Sequence, residues 1–138
     1  MKKQASQNIR MLQQPMIWAS DVDAAACESL GACVKLNRLD DAVKVGCADF
    51  FLQRPDVPTG HCGLVVLNPP YGRRFSNPQD LGMFYERIGA RLRKIYRGWH
   101  VALVVPDPRL AGRLGFSGKW HPLHHGGLQL ALLTGRIE

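Results

Sequence analysis

The sequence predicts an α/β fold: a mostly parallel sheet with helices on both faces, finished by an antiparallel hairpin near the C-terminus. Three observations point there. Apolar runs of strand length alternate with helix-patterned segments through most of the chain. Three successive runs stop on a polar residue, at Asp21, Asp49 and Asn68. Two extended runs then flank Gly126-Gly127, and strands so close in sequence pair antiparallel.

Taken in order, residues 1–14 are polar with helical propensity and read as the end of a helix or a frayed arm. Pro15 to Ser20 is a short apolar run, a buried strand ending at Asp21. Asp23 caps a helix running to about Asn37, with Ala26, Leu30, Cys33 and Val34 on its apolar side. "AVKVGCADFF" gives a second strand that ends near Asp49. "HCGLVVLNPP" is a third, continuous rather than alternating, which predicts that both of its faces are covered. From Pro78, residues Leu81, Phe84, Tyr85, Ile88, Leu92 and Ile95 recur at three- and four-residue spacings. The opposite face carries Glu86, Arg87, Arg91, Arg93 and Lys94, the pattern of an amphipathic helix. "GWHVALVVP" is a fourth strand, and "DPRLAGRLGF" a short helix opening on Asp107 with Pro108 at its first position.

A chain of 138 residues without repeats or Ser/Gly linkers predicts a single domain over 1–138. It lacks an apolar run of membrane-span length and a secretory signal, so a cytoplasmic location is expected. Cys27, Cys33, Cys47 and Cys62 show no CxxC spacing and sit in apolar segments, which predicts buried free thiols rather than disulfides or zinc ligands. His121, His124 and His125 have no Cys or acidic neighbour to complete a metal site, and none is expected. Trp18, Trp99 and Trp120 are expected in the core or on a sheet face. The net charge of +7 favours an anionic partner, nucleic acid first, over a merely solvated basic surface.

Open parallel sheets bind ligands beyond the carboxyl ends of their strands. An acid at Asp21 suits the two hydroxyls of a ribose, and Asp49 could accept from an adenine amino group with Phe50 against the ring. The plainer roles are a turn former at Asp49 and a helix cap at Asp23. The third strand end, "VVLNPPYGRR", is the most unusual. Two prolines cannot donate to a sheet ladder, and each holds the residue before it extended. What results is a stiff loop presenting an amide, free carbonyls and a ring.

Asp21-Val22-Asp23, Ala48-Asp49-Phe50 and Asn68-Pro69-Pro70-Tyr71-Gly72, at these intervals, resemble the class I S-adenosylmethionine-dependent methyltransferases that modify exocyclic amines. The bacterial 23S rRNA guanine-N2 methyltransferases, THUMP-associated RNA methylases, are most similar, and the resemblance covers nearly the whole chain. It implies a Rossmann-like sheet, S-adenosylmethionine as cofactor held by Asp21, Asp49 and Phe50, and RNA as substrate. It also implies a catalytic group of Asn68, Pro69, Pro70 and Tyr71. Tyr71, Gly72, Arg73 and Arg74 would then meet the substrate, by stacking, close approach and phosphate contact. Family members open on a strand and a Gly-rich turn around the methionine part of the cofactor. Nothing here matches, so the resemblance implies a partial catalytic domain whose sheet lacks its first strand, between those ending at Asp21 and Asn68. An upstream domain or a second chain would supply that segment. At the final hairpin, where members often carry Asn-Gly, this chain has His125-Gly126-Gly127.

The chemistry implied is specific. A guanine amine is a poor nucleophile because its lone pair is delocalised into the ring. An amide oxygen at Asn68 and the Pro69 carbonyl, accepting its two hydrogens, would favour a pyramidal nitrogen without a strong general base. Two other functions remain open: methylation of an amine in DNA, and a non-catalytic fragment that binds RNA or a partner chain. A nicotinamide-dependent oxidoreductase should show G-x-G-x-x-G after its first strand, and the sequence has none.

Overall fold

A computed structural model of the chain describes residues 15–54, 62–70, 77–125 and 127–138. The polar N-terminal segment 1–14 therefore lies outside the described residues. The chain divides into two compact units, Met1–Asp56 and Val57–Glu138, each of which follows from its own local sequence.

The first unit is a βαβ element. Strand β1 (Ile17–Asp21) and strand β2 (Val43–Cys47) pair in parallel, Ile17 opposite Val43 and Asp21 opposite Cys47. Helix α1 (Ala24–Leu36) connects them. It starts where the sequence predicts, because the Asp23 carboxylate accepts from the N–H groups of Ala25 and Ala26. It stops at Asn37, whose backbone N–H and side-chain amide both donate to the Cys33 carbonyl. Of the four residues expected on its apolar side, only Val34 is buried. Strand β1 is not buried either: Ile17 is 55% and Trp18 38% exposed. The apolar run is real, but within this unit one strand and one helix are too little to cover both faces of β1.

The second unit is a four-stranded sheet in the order β3 (Leu64–Leu67), β4 (His100–Val105), β6 (Leu128–Arg136), β5 (Gly118–His125). Strands β3 and β4 are parallel, and β6 runs antiparallel to both β4 and β5. The predicted hairpin is β5–β6, with Gly127 at φ +79°, a left-handed conformation open to glycine. Helix α2 (Pro78–Ile95) has Asn77 as its cap, the Asn77 oxygen accepting from the Gln79 N–H at 2.6 Å. Its apolar stripe falls where the spacing predicts: Tyr85, Ile88 and Leu92 are fully buried. They cover the sheet face built from Val65, Val101, Leu103, Val105 and Leu133, and the Tyr85 hydroxyl donates to the Val104 carbonyl at 3.2 Å.

The third strand departs from expectation. Val65 faces this core, but Leu64 and Val66, on the other side, are 59% and 68% exposed. The continuous apolar run predicts cover on both faces, whereas β3 is an edge strand of its sheet with one face covered. The segment opening on Asp107 becomes a 3₁₀ turn (Pro108–Leu110) leading into a one-turn helix, α3 (Ala111–Leu114), which ends at left-handed Gly115. Trp99 stacks edge-on against Tyr96, with ring centres 5.4 Å apart, and Trp99 and Trp120 are half-buried.

Helix α2 meets α3 through a glycine. A Cβ at Gly89 would fall on the Leu114 carbonyl group, which also accepts from the Arg93 guanidinium. Backbone cannot step aside cheaply in a packed interior. Gly89→Ala is therefore expected to destabilise the second unit by about 1–3 kcal/mol, read as a lower urea midpoint by tryptophan fluorescence. An unchanged midpoint would mean that α2 and α3 do not pack this closely.

Candidate functional site

Parallel pairing collects strand ends. In the first unit β1 finishes on Asp21, and β2 finishes at Cys47, two residues before Asp49. The Ala48 N–H continues the ladder by donating to the Asp21 carbonyl at 2.8 Å, so Asp49 follows directly beside Asp21 at the carboxyl edge. Asp21, Asp49 and Phe50 are thus brought together as the sequence predicts.

Each acid uses one oxygen to hold its own turn. Asp21 Oδ1 accepts from the Asp23 N–H at 3.0 Å, and Asp49 Oδ1 accepts from the Phe51 N–H at 2.7 Å. These are Asx turns, so Asp49 is a turn former, as its plainer reading had it. The turn leaves Oδ2 of each carboxylate without a partner among the described residues. Two acceptors on one edge, with the Phe50 ring adjacent in sequence, fit the hydroxyls and amine of a nucleoside. Phe50 and Phe51 pack edge to face, 5.4 Å between ring centres.

The same turn is fastened from beneath by sulfur. The Cys27 thiol lies 3.3 Å from the Asp21 carbonyl and 3.4 Å from that of Gly46; the Cys47 thiol lies 3.6 Å from the Val22 carbonyl. Desolvation against this turn, then Cys27 and the charges of Asp21 and Asp23, push the Cys47 thiol above its ordinary range. Buried thiols were expected, yet Cys33, Cys47 and Cys62 are exposed and Cys27 half-buried, all four free. Segment hydrophobicity misled here, because these thiols stand at strand ends and on a helix flank rather than in a core. The meeting of the two thiols at one turn had no sequence signal.

In the second unit, β3 ends at Leu67 and hands over to Asn68, which is exposed, and then to Pro69, which is buried. Pro70 is half-buried. An open amide standing on a buried ring is a rigid mount, since proline fixes its own backbone and extends the residue before it. Tyr71, Gly72, Arg73 and Arg74 lie outside the described residues. At the parallel neighbour's end, Asp107 is engaged by Arg109: Oδ2 accepts from Nη2 at 2.7 Å and from Nε at 2.9 Å. The Arg109 hydrogen bonds hold the Asp107 carboxyl below the usual carboxylate range, which suits an ion pair and not a general base. Neighbouring strand ends in β3 and β4 could have suggested Asp107 from sequence, where it was read only as a cap.

Among the described residues, one cavity lies elsewhere. It measures about 670 Å³ and is lined by Cys62, Gly63, Leu64, Gly98, His100 and Arg136, at the opposite edge of the second unit's sheet from Asn68. It is shallow and open, and topology places ligand chemistry at the carboxyl edge instead. Among the histidines, His121 contacts the Thr134 hydroxyl at 3.0 Å across the hairpin, and His124 is exposed. No group of three metal-ligating side chains occurs among the described residues. No helix among them is long and apolar enough to cross a membrane.

Comparison with known proteins gives the family and the fold. Ribosomal RNA large subunit methyltransferase K/L of Pseudomonas aeruginosa is 31% identical over 130 residues, covering 92% of this chain but 18% of that protein. The protein of the same name from Pseudomonas putida F1 is 36% identical over 132 residues, with the same shares covered. That of Methylococcus capsulatus is 40% identical over 76 residues, 54% of this chain and 10% of its own. The chain thus spans no more than about a fifth of the length of these relatives. Among solved structures, SMU.472, a methyltransferase candidate crystallised with SAH, matches 99% of the chain and 36% of its own at TM-score 0.79 and 20% identity. A protein of Clostridium difficile 630 described as a possible methylase matches the same shares at TM-score 0.80 and 19% identity. At those identities the likeness establishes the fold, that of the class I methyltransferases. The profile described as "RMKL-like, methyltransferase domain" matches residues 1–124, and the chain belongs to that family.

Proposed function

We propose that this chain carries methyl-transfer machinery for an exocyclic amine of RNA, guanine N2 in 23S rRNA, with S-adenosylmethionine as cofactor. The observation that carries the reading is the open Asn68 amide mounted on buried Pro69 at the carboxyl end of β3. Family membership and relatives named as ribosomal RNA methyltransferases support the substrate class, and the charge of +7 suits a polyanion.

Asp21 and Asp49 would hold the nucleoside part of the cofactor through their free oxygens, with Phe50 against the adenine. When bound, S-adenosylmethionine supplies an electrophilic methyl group on a sulfonium. The remaining work belongs to this chain's own residues. Asn68 Oδ1 and the Pro69 carbonyl would accept the two amine hydrogens and draw the nitrogen out of conjugation with the ring. As the N–C bond forms, positive charge grows on that nitrogen and both hydrogen bonds strengthen. The two acceptors therefore act on the transition state more than on ground-state binding. Tyr71 would stack on the base, which must leave its helix to arrive, and Gly72 would allow the close approach. Arg73 and Arg74 would meet flanking phosphates. The spent proton can leave to solvent after transfer, so an engaged Asp107 is no obstacle.

Two substitutions separate the roles. Asn68→Ala should lower methyl transfer by about two to three orders of magnitude while cofactor affinity stays within about twofold. Labelled methyl incorporation into 23S rRNA, beside calorimetric titration with S-adenosylmethionine, reads both quantities on the longest natural reading frame that contains this chain. Asp21→Ala should do the reverse, weakening cofactor binding about tenfold or more through loss of a charged acceptor. Undiminished transfer by Asn68→Ala removes the clamp. Label arriving on plasmid DNA in preference to rRNA would assign the amine to DNA. Retention of rRNA with neither cofactor binding nor transfer would leave a binding module alone.

A further inference from the structure

The two thiols under the acidic turn are not used by the proposed chemistry, yet their placement is particular. Cys27 is in the first turn of α1 and Cys47 is the last residue of β2, and both thiols lie against the same turn. They approach neighbouring carbonyls of one turn: Cys27 that of Asp21 at 3.3 Å, Cys47 that of Val22 at 3.6 Å. Each S–H is a donor, and each acceptor belongs to the backbone that aims the Asp21 carboxylate.

We propose that Cys27 and Cys47 form a dithiol–disulfide modification site whose state sets the acidic turn Asp21–Asp23. The oxidant is a small-molecule disulfide. One cysteine thiolate attacks it, forming a mixed disulfide and expelling one small thiolate, which takes up a proton. The second cysteine thiolate attacks the protein sulfur of that mixed disulfide, expelling the second small thiolate. Two protein S–H bonds and one reagent S–S bond are lost; one protein S–S bond and two reagent S–H bonds form. Two electrons pass from protein to reagent. Cys47 is exposed, so the reagent can reach the pair.

The consequence follows from counting donors. In the dithiol, S–H groups hold the carbonyls of Asp21 and Val22. A disulfide has no S–H, so the Val22 carbonyl loses its thiol donor and the Asp21 carbonyl keeps only the Ala48 N–H, while the sulfurs draw together beneath them. The turn is then free to move away from the position in which Asp21 accepts the Asp23 N–H and Asp23 caps α1. Loss of cofactor affinity on oxidation rests on the reading of Asp21 given above; the disulfide and the loosened turn do not.

The test uses the 138-residue chain in glutathione buffers from fully reduced to fully oxidised, alkylated and mapped by mass spectrometry. A Cys27–Cys47 cross-link is expected, in the parent chain and equally in Cys33→Ser/Cys62→Ser, which keeps the pair. Amides of Asp23, Ala25 and Ala26 should exchange about fivefold or more faster in the oxidised form, as local protection is lost. Titrated on the longest natural reading frame that contains this chain, S-adenosylmethionine affinity should fall about tenfold. Cross-links scattered to Cys33 or Cys62, both thiols still alkylated in the oxidised buffer, or a cross-link with unaltered exchange would each overturn the proposal. If Asp21→Ala binds cofactor as the parent does, the cofactor reading of Asp21 falls, while mapping and exchange still decide the switch.

Discussion

Parallel strand pairing is the constraint on which the chemistry depends. Strands running the same way deliver all their carboxyl ends to one edge, and residues that end strands become neighbours without being neighbours in sequence. The register that sets Asp21 opposite Cys47 brings Asp49 beside it one ladder step later, through the Ala48 hydrogen bond. Shifting β2 by one residue would turn every side chain of that strand to the other face and separate the two carboxylates from their shared edge. The same logic in the second unit sets Leu67 opposite Leu103, so that Asn68 and Asp107 follow from adjacent strands.

What the edge residues do locally explains how they remain available. A carboxylate at a strand end has two oxygens, and in both Asp21 and Asp49 one of them is spent on the backbone two residues onward. That bond fixes the direction of the other oxygen, which then requires little ordering when a ligand arrives. Turn forming does not exclude ligand binding, since the turn uses only one oxygen of each carboxylate. Asn68 achieves the same rigidity differently, through a buried proline behind it rather than a hydrogen bond beside it.

Order of elements, helix α2 with its apolar stripe, the Asp23 cap and the hairpin around Gly127 were all legible in the sequence, because each rests on local pattern. Coverage was not. Ile17, Trp18, Leu64 and Val66 are apolar in strands and still exposed, because a strand's composition states what it can pack against and not what is there. The same error buried the thiols. The meeting of Cys27 and Cys47 at one turn spans nineteen intervening positions and exists only through the register of β1 with β2 and the return of α1. Such an encounter carries no short-range signal. That Asp21, Asp49 and Asn68 stand at strand ends was readable from the sequence, and the Asx turn that Asp21 forms was not.

In the proposed function, the two strand-end carboxylates and the strand-end amide would differ in task by charge. An anion is suited to holding hydroxyls and amines that keep their charge throughout. An amine that becomes cationic during transfer needs acceptors whose pull grows with that charge but which do not take its proton beforehand. A carboxylate in that position, free to titrate, would pair with any cation and bind ground states tightly. Asp107 shows the outcome on the next strand, where Arg109 claims both of its oxygens. A neutral amide oxygen escapes this fate, because it has no net charge to attract a partner. On the proposed reading, its weakness toward the ground state would let Asn68 favour the transition state, with the buried proline beneath it holding that acceptor in place.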